Sequence, residues 1–213
     1  MSVQAKICGL KTPDAVDAAV VHGAFMTGFV FFSDSPRNIL PFDAAQLTAR
    51  VPKHIGKVGL VVDASNDWLD EVVKKSGVDY LQCHGQETPD RISEISTRYQ
   101  LPVIKALAIE NQADIERARL YQNVSAKLLF DARPPKGATR PGGNAVTFDW
   151  TLLADESWTV PWLLAGGINV NNVKEAVLKS DAKAVDVSSA VETVVGVKSV
   201  QKITEFLKIV ATL

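Results

Sequence analysis

Eight short apolar runs, spaced fairly evenly from end to end, constrain the fold of this chain more than any other feature. They are VQAKICG (3–9), AFMTGFVFF (24–32), KVGLVV (57–62), DYLQCHG (79–85), LPVIKALAI (101–109), AKLLFDA (126–132), TVPWLLAGG (159–167) and AVDVSS (184–189). Short runs of this kind, rich in β-branched residues, suit strands buried on both faces, as in a parallel sheet. Between them lie segments with helical period and start signals. Thr12-Pro13-Asp14 opens a run with an apolar stripe of Ala15, Val16, Ala18, Ala19 and Val20, and Pro41, Asn66, Thr88 and Asn111 each stand at or near the start of another. Gly77 is placed as a stop signal, Asn169 to Asn172 lead into VKEAVLKS, and Val197 is taken as the start of the last helix. Repeated strand–helix alternation in 213 residues predicts an α/β fold, a (β/α)8 barrel of the phosphate-binding type near its lower size limit. A doubly wound open sheet shares the alternation, but the count of eight and the even spacing favour closure. No Gly- or Ser-rich linker divides the chain, so residues 1–213 are expected to form a single barrel domain.

Charge narrows the partners. The 23 Lys and Arg against 24 Asp and Glu leave a formal −1, which argues against nucleic-acid binding through a broad basic footprint. It leaves room for a small anion held by a few groups. No apolar run approaches the ~20 residues of a membrane helix, and MSVQAKICGLKTPD lacks a secretory pattern. Cys8 and Cys83 are too few for a disulfide framework, so a cytoplasmic protein with free thiols is expected. Its oligomeric state, monomer or homodimer, is not readable from the pattern.

Barrels of this class carry their chemistry at the C-terminal ends of strands. Those ends hold Cys8, the stretch Ser33 to Arg37, Asp63, His84, Asp131, Gly166 and Gly167, and Asp186 to Ser189. Strand alternation puts Lys6 and Cys8 on one face and Ile7 on the other, and separates Gln82 and His84 from Cys83. The Gly166-Gly167 and Ser188-Ser189 pairs fall after strands seven and eight, where phosphate is often held, so they are the predicted phosphate-binding residues. Cys8 is read either as a buried small hydrophobe or as a proton-transfer group, since a thiol with a pKa of ~8.5 needs help to ionise near neutrality. Asp131, after LLF, is read either as a turn residue or as an acid whose proton an apolar setting would retain. His22, His54 and His84 show no ligand spacing, and no metal site is predicted. Residues 132–147 carry three prolines, three glycines and three basic residues, and such a long irregular stretch reads as a functional lid.

Taken in order, KICGL (6–10), FVFFSDSPRNI (29–39), LQCHGQE (81–87), LLFDA (128–132), FDW (148–150), LLAGGINVNNV (163–173) and AVDVSSAVE (184–192) resemble phosphoribosylanthranilate isomerases over essentially the whole chain. The resemblance implies an isomerase of tryptophan biosynthesis that performs an Amadori rearrangement of a phosphorylated small molecule, without metal or organic cofactor. It implies that Cys8 is the general base, Asp131 the general acid, and Arg37 the partner of the anthranilate carboxylate, a task suited to its planar fork. Gly166, Gly167, Ser188 and Ser189 would hold the phosphate, with His84 and Asp186 near the substrate. An acid and a base working together imply a bell-shaped pH profile. Four positions depart from the family pattern. Ala145 and Val146 stand where a glycine and a basic residue are expected, Cys83 replaces a leucine, and Ala190 a glycine. A non-catalytic sugar-phosphate barrel and other sugar-phosphate isomerase barrels are the competing readings. Paired aspartates at the ends of strands one and five would mark the histidine-pathway isomerase; position 8 is Cys and strand five ends IKALAI.

Overall fold

A computed structural model describes residues 2–135, 137 and 141–213. Eight parallel strands close into a barrel in simple sequential order: β1 (Gln4–Cys8), β2 (Met26–Val30), β3 (Gly56–Val61), β4 (Tyr80–Cys83), β5 (Val103–Ile109), β6 (Lys127–Ala132), β7 (Trp162–Leu164) and β8 (Ala184–Val187). Crossovers carry α1 (Pro13–Val21), α2 (Pro41–Thr48), α3 (Asn66–Ser76), α4 (Pro89–Tyr99), α5 (Gln112–Ala118) and α6 (Val173–Ser180), with α7 (Val200–Val210) after β8. The eight-strand expectation holds, and the open-sheet alternative falls with closure of β1 on β8.

Local signals act where chemistry predicts. Pro13, Pro41 and Pro89 occupy first turns, where a missing N–H costs nothing. The Thr88 side chain accepts from Arg91 N, and Asn111 with Asp114 forms a capping box. Gly77 ends α3 at φ 69°, the left-handed conformation a C-terminal glycine adopts cheaply. The cap of α3 is Ser65, just upstream of the expected start.

Two expectations need correction. The repeat does not supply a helix at every crossover: among the described residues between β6 and β7 the only helical element is a 3-10 turn, Trp150–Leu153, and the described residues before it carry no strand or helix. The last helix does not start at Val197. Residues Glu192–Val194 (β9) and Val197–Lys198 (β10) form an antiparallel hairpin, and Ser199 caps α7 by accepting from Lys202 N.

Alternating side chains divide the core into layers. Ile7, Leu81, Cys83, Phe130 and Val185 point outward and pack with Val16, Leu69, Ile92, Ile115 and Phe206 of the helices. Met26, Val58, Ile104, Leu129 and Leu163 fill the barrel floor, while Cys8, Val30 and Leu60 form a smaller cluster. Cys83 thus faces the helix layer, as alternation predicts.

A buried ion pair fixes the end of β4. Lys105 Nζ on β5 lies 2.7 Å from Glu87 Oε2, with both side chains almost wholly buried. Glu87 accepts from Asp63 N and Gly85 N at 2.9 Å, and Lys105 donates to Gly85 O at 2.7 Å. Asp63 therefore serves this turn, its Oδ1 accepting from Gln86 N at 2.7 Å. Removing one partner leaves the other charge buried and alone, so Glu87→Ala is expected to cost about 3–5 kcal/mol of stability. Urea denaturation checks this, and a loss below about 1 kcal/mol, typical of exposed pairs, would contradict the role assigned to the pair.

Candidate active site

The C-terminal mouth of the barrel holds a two-lobed cavity. The first lobe has an apolar wall of Val30, Phe32, Leu60 and Val62, with Cys8 and Arg37 also lining it. The second is lined by Ala165, Gly166, Gly167, Ser188 and Ser189. Asp131, Gly142, Gly143, Asp186 and Ser188 border both lobes and make them continuous. Cys8, Arg37, His84, Asp131, Gly166, Gly167, Asp186, Ser188 and Ser189 each line one lobe or the other, whereas Asp63 does not.

Cys8 ends β1 on the inward face, two residues above Lys6, and only 4% of it is exposed. Burial is the main influence on its thiol and pushes the pKa up. The Lys6 ammonium pulls it down, Asp186 pushes it up and Lys198 pulls it down, but the net direction is upward. The resting thiol is therefore protonated at neutral pH. Lys6 is wholly buried and ion-paired with Asp186 at 2.8 Å. Burial lowers the Lys6 pKa, but Asp186 and Cys8 outweigh that, so the net direction is up and the ammonium persists.

Asp131 ends β6, three strand steps from Cys8 around the ring through β8 and β7. Its environment is more polar than LLF suggests, because Leu128 and Phe130 point outward into the helix layer. Asp131 Oδ1 accepts from Ala132 N at 2.9 Å, and Oδ2 lies 3.3 Å from His84 Nε2. On the far side of the imidazole, Gln82 Nε2 lies 3.3 Å from Nδ1. The imidazole therefore stands between the Gln82 amide and the Asp131 carboxyl, one ring nitrogen toward each.

The second lobe depends on glycine. Gly166 and Gly167 have φ of 83° and 64°, and a Cβ at either would run into the Ala132 backbone or the Val146 carbonyl. The Ser188 hydroxyl donates to Cys8 O at 3.1 Å, tying the two strand ends together. Of the long stretch after β6, Gly142 packs against Asp131 and His84, and Gly143 against Arg37. Its Lys136 and Arg140 lie outside the described residues.

Sequence reasoning missed two residues here, Glu192 and Lys198. Arg37 donates from Nε to Glu192 Oε1 at 2.6 Å and from Nη2 to Oε2 at 2.9 Å. Lys198 Nζ lies 2.7 Å from Glu192 Oε1 and donates to Ser188 O at 2.9 Å. Burial opposes ionisation of Glu192, but Arg37 and Lys198 together hold its carboxyl below the usual range. Glu192 closes the stretch AVDVSSAVE, so it was in view without a role. Lys198 was hidden by the assignment of its segment to a helix.

The family model for N-(5'phosphoribosyl)anthranilate (PRA) isomerase matches residues 5–209. The chain belongs to that family. It is 54% identical over 209 residues to the N-(5'-phosphoribosyl)anthranilate isomerase of Rhodospirillum rubrum, covering 96% of each chain. It is 50% identical over 208 residues to that of Paramagnetospirillum magneticum, covering 98% of this chain and 97% of the other. Among solved structures, the phosphoribosyl anthranilate isomerase of Thermotoga maritima superposes with a TM-score of 0.89 at 32% identity, over 99% of this chain and 100% of that one. A phosphoribosyl anthranilate isomerase in complex with reduced 1-(o-carboxyphenylamino)-1-deoxyribulose 5-phosphate gives 0.84 at 31% identity, with the same coverage.

Membership gives the departures a physical meaning. Ala145 adopts φ 57°, the left-handed conformation, which explains why a glycine is expected there. Cys83 packs within the outer core where the resemblance leads one to expect leucine, and burial pushes its thiol up to about 12. Neither thiol is ionised at neutral pH. Alkylation of Cys8 by iodoacetamide is therefore expected to be slow at pH 7 and still accelerating above pH ~8.5, the ordinary thiol value. Mass spectrometry with Cys8→Ser as control reads this. A rate that levels off below pH 8 would overturn the assigned direction.

Proposed function

We propose that this chain catalyses the Amadori rearrangement of N-(5-phosphoribosyl)anthranilate to 1-(2-carboxyphenylamino)-1-deoxyribulose 5-phosphate in tryptophan biosynthesis, with Asp131 as general acid and Cys8 as general base. One observation carries this reading: Cys8 and Asp131, on separate strands, line the same lobe beside an apolar wall and an arginine, and that lobe runs into a glycine-built one. A phosphorylated sugar joined to an aromatic acid has that bipartite shape.

The substrate's phosphate occupies the lobe of Gly166, Gly167, Ser188 and Ser189, and its aryl ring lies against Val30, Phe32, Leu60 and Val62 with the carboxylate toward Arg37. Asp131 donates its proton to the ribose ring oxygen as the C1–O bond breaks, and the anthranilate nitrogen lone pair forms the C1=N bond of a protonated Schiff base. His84 orients the Asp131 carboxyl through its Nε2. The positive nitrogen acidifies the C2–H bond. Cys8, as thiolate, removes that proton, and the electron pair forms C1=C2 while the C1=N pair returns to nitrogen. The enol hydroxyl at C2 then loses its proton and C1 gains one, which gives the ketone with no change in atoms. Asp186, paired to Lys6 beneath Cys8, contributes to the field around the thiol.

All of these groups come from one chain, so the chemistry proceeds in a monomer or in each half of a homodimer. The proposal treats residues 1–213 as one barrel domain working in the cytoplasm on a small molecule, with no nucleic-acid partner. No described helix is long and apolar enough to cross a membrane.

Freshly prepared substrate tests the activity. Cys8→Ser and Asp131→Asn are each expected to lower kcat by about 10²–10⁴. Full activity in the double variant would sink the mechanism. The pH dependence separates the two groups. Wild type is expected to be bell-shaped, because the acid must be protonated while the base is not. Asp131→Asn removes the acid's titration, so its residual kcat/KM should rise monotonically through a Cys8 pKa above the ordinary thiol value. A residual profile that falls with rising pH would overturn the assignment of Cys8.

A further inference from the structure

Two positive charges and one negative charge are buried together at the rim of the aryl lobe. Arg37 and Glu192 are about 5% exposed, and Lys198 is 2% exposed at its side chain. Arg37 and Glu192 stand 155 residues apart in sequence. The hairpin that brings Glu192 and Lys198 here is an addition to the strand–helix repeat, and its turn is packed against the β2–α2 loop. A Cβ at Gly196 would lie 2.6 Å from Pro36 O, and Glu192 Oε2 accepts from Gly196 N at 3.0 Å.

We propose that Arg37, Glu192 and Lys198 form a single receptor for the aryl carboxylate, in which Glu192 aims the guanidinium and Lys198 keeps the cluster cationic. This rests on the reading of Arg37 given above.

The geometry sets the aim. The bidentate pair uses Nε and Nη2, so the guanidinium plane is fixed before substrate arrives. The remaining nitrogen, Nη1, lies toward Gly143, which lines both lobes. Charge explains what a third residue adds. An isolated Arg–Glu pair is neutral, so it draws an incoming carboxylate only through its dipole and the N–H donors left over from the pair. Burial pulls the Lys198 pKa below its ordinary value and Arg37 adds to that, while Glu192 opposes both; as an ammonium on Glu192 Oε1, Lys198 brings the cluster to +1, which a substrate carboxylate neutralises. Lys198 also donates to Ser188 O, which anchors it independently of Arg37. Glu192 and Lys198 act through Arg37 and are positioning residues.

A pair of ligands tests this: the product analogue reduced 1-(o-carboxyphenylamino)-1-deoxyribulose 5-phosphate, and its counterpart without the carboxylate. Calorimetric Kd values for both, on wild type and on Arg37→Met, Glu192→Gln and Lys198→Met, give the preference for the carboxylate in each protein. Arg37→Met should abolish the preference. Glu192→Gln and Lys198→Met should each reduce it about tenfold, roughly one charge-assisted hydrogen bond, with the Kd of the counterpart unchanged. On the natural substrate both should raise KM more than they lower kcat.

Retention of the preference in Arg37→Met refutes the reading of Arg37 itself. Loss there, with full preference kept in Glu192→Gln and Lys198→Met, overturns the receptor while leaving Arg37 in place. An equal weakening of both ligands marks a structural role only and also overturns it. A stronger preference in Glu192→Gln means that net charge rather than aim governs binding, which refutes the positioning role.

Discussion

Closure depends on one pairing. β1 meets β8 with Lys6 directly opposite Asp186, and the two side chains form an ion pair at 2.8 Å across 180 residues of sequence. Without that seam both terminal strands would present unpaired backbone groups, and the mouth would lose its shape. A lysine with no exposed surface is stable there only because Asp186 compensates it. Its pKa is raised in the folded protein, so its stabilising contribution is complete below the unfolded value, about 10.5. It is lost only as pH climbs through the folded value. The seam thus stays intact through neutral pH.

The same pair explains the setting of Cys8. Burial disfavours a thiolate, and Lys6 and Lys198 offset part of that penalty while Asp186 adds to it. A thiol held mostly protonated before substrate binds reacts little with adventitious electrophiles, yet in the proposed mechanism a cationic Schiff base forming beside it favours its ionisation. Support comes from outside the barrel as well. Glu87 and Lys105 grip Gly85 from the helix side, which places His84 against Asp131. Thus each end of the site is braced by a buried ionic group that costs desolvation and returns fixed geometry.

The barrel could be read because parallel strands covered on both faces write themselves as continuous apolar runs, and because Pro13, Thr88, Asn111 and Gly77 punctuate them with local chemistry. Strand alternation alone put Cys8 inward and Cys83 outward. The hairpin after β8 escaped for a matching reason. Three residues pairing with two give almost no period, and valines leading into α7 continue its apolar pattern backwards. The sixth crossover escaped because a 3-10 turn of four residues is too short to show a stripe. At the site, residues at strand ends were found by position or by family resemblance. Glu192 and Lys198 were not, since their partners are set by tertiary contact and no local spacing announces them.

The departures after β6 follow the same distinction between backbone and side chain. Val146 stands where a basic residue is expected, but its contact with the glycine-built lobe is made by its carbonyl, toward which a Cβ at Gly167 would point at 2.8 Å. That contact is independent of the side chain, which is partly exposed. Ala145 is different, because its φ of 57° is a backbone requirement that a methyl group meets only at a cost of about 1 kcal/mol. The substitution at 146 changes a surface, whereas the substitution at 145 stores strain beside the lobe assigned to phosphate. The protein itself holds Ala145 in that conformation, since the residues that follow it, Val146 and Thr147, are packed tightly against Gly167.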